Sequence, residues 1–150
     1  MAEPTPSSSL DFLLAPAGRG ATVLVLGPLA PALGDGLRGA TGPTGLVVAC
    51  APDVAPAPPG GVALRADPRY GLPLLSHSVD LAIVAAVPEE GLERVVEELR
   101  RVLAPGGAVR AVTEAATAYR LLGELHAAAF HDAEAVRLDD AAGVRATAPR

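Results

Sequence analysis

The residues that could do chemistry gather at the ends of short apolar runs. Val23-Leu24-Val25-Leu26-Gly27-Pro28-Leu29-Ala30-Pro31 reads as a buried strand that enters a loop and then a helix. In α/β nucleotide sites this loop is glycine-rich, so that backbone approaches the ligand and a helix N-terminus faces it. Here only Gly27 stands in the loop, followed by two prolines and a leucine. Asp53 and Asp67 follow the next two runs and offer carboxylate acceptors for hydroxyl or amino groups. Cys50 closes a run but has no basic neighbour in sequence to lower its pKa, so it reads as a small buried apolar residue. His77 falls in a polar loop. His126 and His131 are five apart, a spacing that does not put two rings on one helix face, so no metal site is expected even with Asp132 and Glu134 nearby. Ala85-Ala86-Val87-Pro88 carries no acid, base or aromatic, and no catalytic residue is identified.

The elements that must position these residues are legible. Ala21–Leu26, Leu46–Cys50, Leu81–Val87 and Ala108–Val112 are continuous apolar runs, with Val62–Ala66 a weaker fifth. Strands that do not alternate are those buried on both faces, as in a parallel sheet between helices. Glu89–Leu103 predicts a helix, with Leu92, Val95, Val96, Leu99, Val102 and Leu103 on one face. Pro88 suits its start, and Glu90/Arg94 and Glu97/Arg101 are spaced for i,i+4 pairing. Pro105-Gly106-Gly107 stops it and turns the chain into the next strand. Ala115–Phe130 predicts a second helix, with a stripe of Ala118, Leu121, Leu122, Leu125 and Ala129. Ala133–Leu138 and Val144–Ala148 predict a terminal hairpin. Residues 51–61 hold four prolines and cannot form an ordinary crossover helix, which predicts an extended loop and one thinly covered sheet face.

Composition excludes several classes. The 150 residues carry a net charge of −5, and every basic side chain other than histidine is arginine. No basic cluster exceeds Arg100-Arg101 and aromatics make up 3%, so neither a phosphate-tracking patch nor a base-stacking platform for nucleic acid is expected. No apolar run is long enough to span a membrane. Residues 1–9, rich in proline and serine, predict a disordered tail rather than a secretory signal, with one domain over 10–150. A single cysteine fits a reducing cytoplasm.

Taken in order, Asp67, Leu72-Pro73, Ser78-Val79-Asp80 and Arg101-Val102-Leu103-Ala104-Pro105-Gly106-Gly107 resemble the ordered signals of the class I S-adenosylmethionine-dependent methyltransferases. The resemblance covers about residues 20–148. It implies a Rossmann-like α/β sheet, mostly parallel with a C-terminal antiparallel hairpin. It also implies a cofactor site at the first strand, with Gly27 matching the first glycine of a Gly-x-Gly-x-Gly loop. Leu29 and Pro31 stand at the other two glycines, and Val25 replaces the first-strand acid. Ala51 falls where the family holds the ribose hydroxyls with an acid; Asp53 is two residues on. Asp67 matches the acid that contacts the adenine amino group.

Gly27, Asp53 and Asp67 are therefore the candidate cofactor-binding residues. Each charge-assisted hydrogen bond is worth about 1.5–3 kcal/mol, so loss of the ribose acid alone weakens binding about tenfold to a hundredfold. The expected function is a methyltransferase-fold protein with an eroded S-adenosylmethionine site, non-catalytic and acting through protein contacts as a homodimer or as partner of an active enzyme. No bound cofactor is expected on this reading. The alternative is an active S-adenosylmethionine-dependent enzyme on a small-molecule or carrier-bound substrate.

Overall fold

The computed structural model describes residues 8–53, 57–58, 61–139 and 141–150. Seven strands form one sheet in the order β3-β2-β1-β4-β5-β7-β6. They are β1 (Thr22–Leu26), β2 (Leu46–Ala51), β3 (Val62–Arg65), β4 (Val79–Val84), β5 (Leu103–Thr113), β6 (His131–Arg137) and β7 (Ala142–Thr147). β3 through β5 pair in parallel. β7 enters antiparallel beside β5, and β6 antiparallel beside β7. The sheet is thus α/β, mostly parallel with an antiparallel C-terminal hairpin.

Successive side chains of a strand point to opposite faces. Val23, Val25, Val47, Leu81 and Ile83 pack under Leu33 and Leu37 of α2 (Pro31–Thr41), with side chains of α1 (Ser9–Leu14) against them. Leu24, Leu26, Val48, Ala82, Val84, Val109 and Ala111 pack on the other face, under α3 (Leu92–Val102) and α4 (Ala115–Ala127). Both faces are covered, which is why the strand sequences do not alternate.

Several boundaries move from the sequence reading. Helix α1 was not anticipated: Ser8 accepts from the Asp11 backbone N–H as its N-cap, and Phe12 is fully buried. Of the expected tail, residues 1–7 lie outside the described residues. α3 begins at Leu92 behind Gly91, whose φ is +77°, and Pro88, Glu89 and Glu90 stay in the preceding loop. The expected Glu90/Arg94 and Glu97/Arg101 pairs are replaced by one i,i+3 pair, Arg101–Glu98. Pro105-Gly106-Gly107 does not separate helix from strand but lies inside β5, where the Val79/Leu81 register shift absorbs it. β4 ends at Val84, so Ala85, Ala86 and Val87 leave the sheet. On α4, Ala129 is exposed and Phe130 takes the buried place. Phe130 N–H donates to Leu125 and Ala129 N–H to His126, closing the helix end with Ala129 at φ +64°.

No helix lies between β2 and β3 among the described residues. The expected bare face does not follow: Val47 is 2% and Ala49 5% exposed, and Pro58 is buried. What is left open at that edge is Leu46 and Val62.

Glu98 ties the loop before β4 to α3. Its carboxylate accepts from the Leu72 backbone N–H at 2.7 Å and from Arg101 Nε at 2.6 Å. Arg101 in turn donates to the Leu72 and Leu74 carbonyls, both at 2.8 Å. Leu72-Pro73 and Arg101, read above as family signals, are thus one structural clamp.

Candidate active site

A cleft of about 440 Å³ opens at the C-terminal ends of β1, β2 and β4, where open parallel sheets bind ligands. Gly27, Cys50, Asp67, Arg69, Ala86 and Glu89 are among its walls. Gly27 closes β1: its N–H donates to Cys50 and the Leu26 carbonyl accepts from Ala85 and Ala86. Its φ is +110°, and a Cβ there would sit 2.8 Å from Ala86 Cβ and 2.9 Å from Ala86 N. The glycine is thus required by the chain's own approach to the segment after β4, whatever the cleft holds.

Leu29 and Pro31 are not among the cleft's lining residues. Leu29 packs into the α1–α2 cluster. Pro31 is the first residue of α2, a position where proline's missing N–H costs nothing. The two side chains that stand at the second and third glycine positions thus do not line the cleft.

Asp67 lines the cleft and caps the 3₁₀ turn Pro68–Tyr70. Its Oδ1 accepts from Arg69 N and Nε, both at 3.0 Å. Its Oδ2 accepts from Arg69 Nε at 3.2 Å and Nη2 at 2.6 Å. Three Arg69 N–H groups, with Nε–H shared between the two oxygens, thus engage both carboxylate oxygens. These bonds hold the Asp67 carboxyl below its ordinary pKa of 3.8. Asp53 is exposed and is not among the lining residues; Pro52 is. The fold thus brings Gly27 and Asp67 together and leaves Asp53 outside.

Cys50 is 1% exposed, and burial raises its thiol pKa; Sγ donates to the Ala66 carbonyl at 3.5 Å. It is a thiol at neutral pH, not a nucleophile. The sequence reading missed Arg69, Glu89 and Glu90. Three carboxylates (Asp67, Glu89, Glu90) against one guanidinium (Arg69) leave the cleft walls at −2. A second cavity of about 480 Å³ shares Val87 and Glu89 with the cleft and adds Glu114, Thr117 and Arg120. This answers the apparent blank after the fourth strand: polar groups reach that end from the loop before α3 and the start of α4. No cluster of three or more metal-ligating side chains occurs among the described residues.

A sheet ordered β3-β2-β1-β4-β5-β7-β6, with its cleft at the β1/β4 ends, can be compared directly with solved proteins. A methyltransferase from Aquifex aeolicus, described as dependent on S-adenosylmethionine, superposes with a TM-score of 0.77 at 19% identity, over 95% of this chain and 93% of that one. The chain has the fold of the class I S-adenosylmethionine-dependent methyltransferases. An O-methyltransferase of Thermotoga maritima matches at TM-score 0.76 and 16% identity, over 100% of this chain and 67% of that one. Fibrillarin of Aeropyrum pernix, solved with natively bound S-adenosylmethionine, matches at TM-score 0.69 and 18% identity, over 87% and 68% of the two chains. No protein-family pattern matches the sequence, and no curated protein matches it. No helix among the described residues is long and apolar enough to cross a membrane.

Two of the three acidic anchor positions that the resemblance implies for S-adenosylmethionine carry apolar residues here. Asp67, which the resemblance matches to the adenine contact, is paired with Arg69 through both oxygens. Ala51, matched by the resemblance to the ribose acid, ends β2, and Val25, matched to the first-strand acid, is fully buried.

Proposed function

We propose that this methyltransferase-fold protein does not transfer methyl groups and acts through protein contacts, as a homodimer or as partner of an active enzyme. The observation that carries the reading is the Asp67–Arg69 fork, which consumes the one cofactor acceptor kept from the family pattern. Cys50 is held as a thiol and Asp53 lies outside, so the other carboxylates of the cleft are Glu89 and Glu90, which come from the loop before α3 and not from the family's anchor positions. Leu46 and Val62 leave a small apolar patch beside the short edge strand β3, a type of edge that pairs readily with another chain.

A second reading, an active S-adenosylmethionine-dependent enzyme on a small-molecule or carrier-bound substrate, is favoured by two observations. The cleft falls in the volume range of ligand sites, and its net −2 walls suit a cationic ligand such as a sulfonium. Gly27 and Asp67, with Asp53 if its loop folds back, would then hold the cofactor.

Titration calorimetry with S-adenosylmethionine and S-adenosylhomocysteine separates the two. No saturable heat at millimolar ligand from folded protein supports the first reading; micromolar binding supports the second. Light scattering reports the homodimer. A strict monomer that captures no methyltransferase in pull-down overturns the protein-contact proposal.

A further inference from the structure

Among the described residues, α1 is the helix on its face of the sheet beside β5, and no helix follows it over β7 and β6. A cavity of about 490 Å³ lies there, far along the sheet from the cleft and sharing none of its residues. Its walls include Ala108, Arg110, Asp132, Glu134, Arg145 and Ala146. Arg110 and Arg145 are directly opposite across β5 and β7, and Arg145 is opposite Glu134 across β7 and β6. Like charges in register repel. Glu134 answers one of them, forming a salt bridge with Arg145.

Arg110 is left over. Its guanidinium stacks 4.7 Å from the centre of the Phe12 ring. Among the described residues it has no carboxylate partner and no hydrogen bond, and its Nε is buried without an acceptor. Burial, reinforced by Arg145, pushes its pKa down. A guanidinium desolvated on an aromatic face and left without an anion is costly, and such a group calls for an explanation.

We infer that this cavity is a binding site for a small monocarboxylate, held by Arg110. The guanidinium fork matches a planar carboxylate. Glu134 and Asp132 admit one negative charge and oppose a second. Asp132 is held at φ +53° in the β6 irregularity between His131 and Glu134, which sets it beside the cavity. Of the alanines along it, Ala108 packs on this face, whereas Ala133 and Ala146 pack into the core on the other face. The site stands apart from the cleft, so neither reading of the cleft bears on it.

The test is titration of the whole protein with butyrate, with butyramide as its uncharged counterpart and inorganic phosphate as the multiply charged probe, at constant ionic strength. The expected result is saturable butyrate binding that butyramide does not reproduce and that exceeds phosphate. Arg110→Met should weaken it about tenfold to a hundredfold, the loss of a charge-assisted hydrogen bond. Methionine keeps the length and packs on Phe12, so the variant should fold; Arg110→Lys, which keeps the charge and loses the fork, is the second variant and should also bind more weakly. Absence of saturable butyrate binding overturns the inference, as do equal responses to butyramide, tighter phosphate binding, or unchanged affinity in a folded Arg110→Met protein.

Discussion

Replacing Arg69 by methionine removes Nε and Nη2 from Asp67 and leaves only the Arg69 backbone N–H on Oδ1. Oδ2 then loses both of its Arg69 contacts. Asp67, relieved of the guanidinium, moves up toward its ordinary pKa of 3.8 and so stays ionised at neutral pH. Stability should hardly change, because the pair is partly exposed and solvent screens it. Binding should change more. One recovered charge-assisted hydrogen bond to an adenine amino group is worth about tenfold to a hundredfold in affinity. Calorimetric titration of wild type and Arg69→Met with S-adenosylhomocysteine and adenosine, both samples shown folded by thermal melt, reads this ratio. A gain of that size supports the fork as the element that occupies the adenine position. Equal or weaker binding by the variant refutes the argument, since Arg69 would then either be irrelevant to the cleft or hold the ligand itself.

Other substitutions test the scaffold. Glu98→Gln keeps one acceptor for Leu72 but sets an amide against Arg101, and should cost about 1–3 kcal/mol by chemical denaturation. Glu98 is held below its ordinary pKa of 4.5, chiefly by Arg101, so its contribution is present above that pH and lost as pH falls through the lower folded value. The gap between wild type and variant should therefore close on acidification, and a gap that widens there contradicts the assignment. Gly27→Ala forces a Cβ to 2.8 Å from Ala86 Cβ at φ +110°, and should destabilise by about 2–4 kcal/mol; a loss below about 0.5 kcal/mol means the two segments are not in contact. Ala129→Gly relieves a left-handed alanine at an exposed helix end and should raise stability by about 0.5 kcal/mol, read as a small rise in melting temperature.

Hydrophobic pattern alone determined most of the architecture. Continuous apolar runs can be satisfied only by burial on both faces, so Val23–Leu26 and Leu81–Val84 had to be inner strands of a covered sheet. The five predicted apolar positions from Leu92 to Val102 are all buried, because a 3.6-residue period leaves one face for them, and Leu103 is buried as the first residue of β5. Tertiary structure decided what local pattern does not encode. The short helix around Phe12 has too few turns to show a period, and its anchor is the strand residue Arg110 and Gly143. Pro105-Gly106-Gly107 is a strong local stop signal, yet pairing with β4 and β7 drew it into β5. The cleft follows the same division. Gly27 and Asp67 stood out by type and order. That Arg69 closes on Asp67 is a contact two residues apart within one capped turn, whereas that Leu29 turns into the core and Asp53 stays outside depends on where loops from separate strands settle against one another, which no residue spacing specifies.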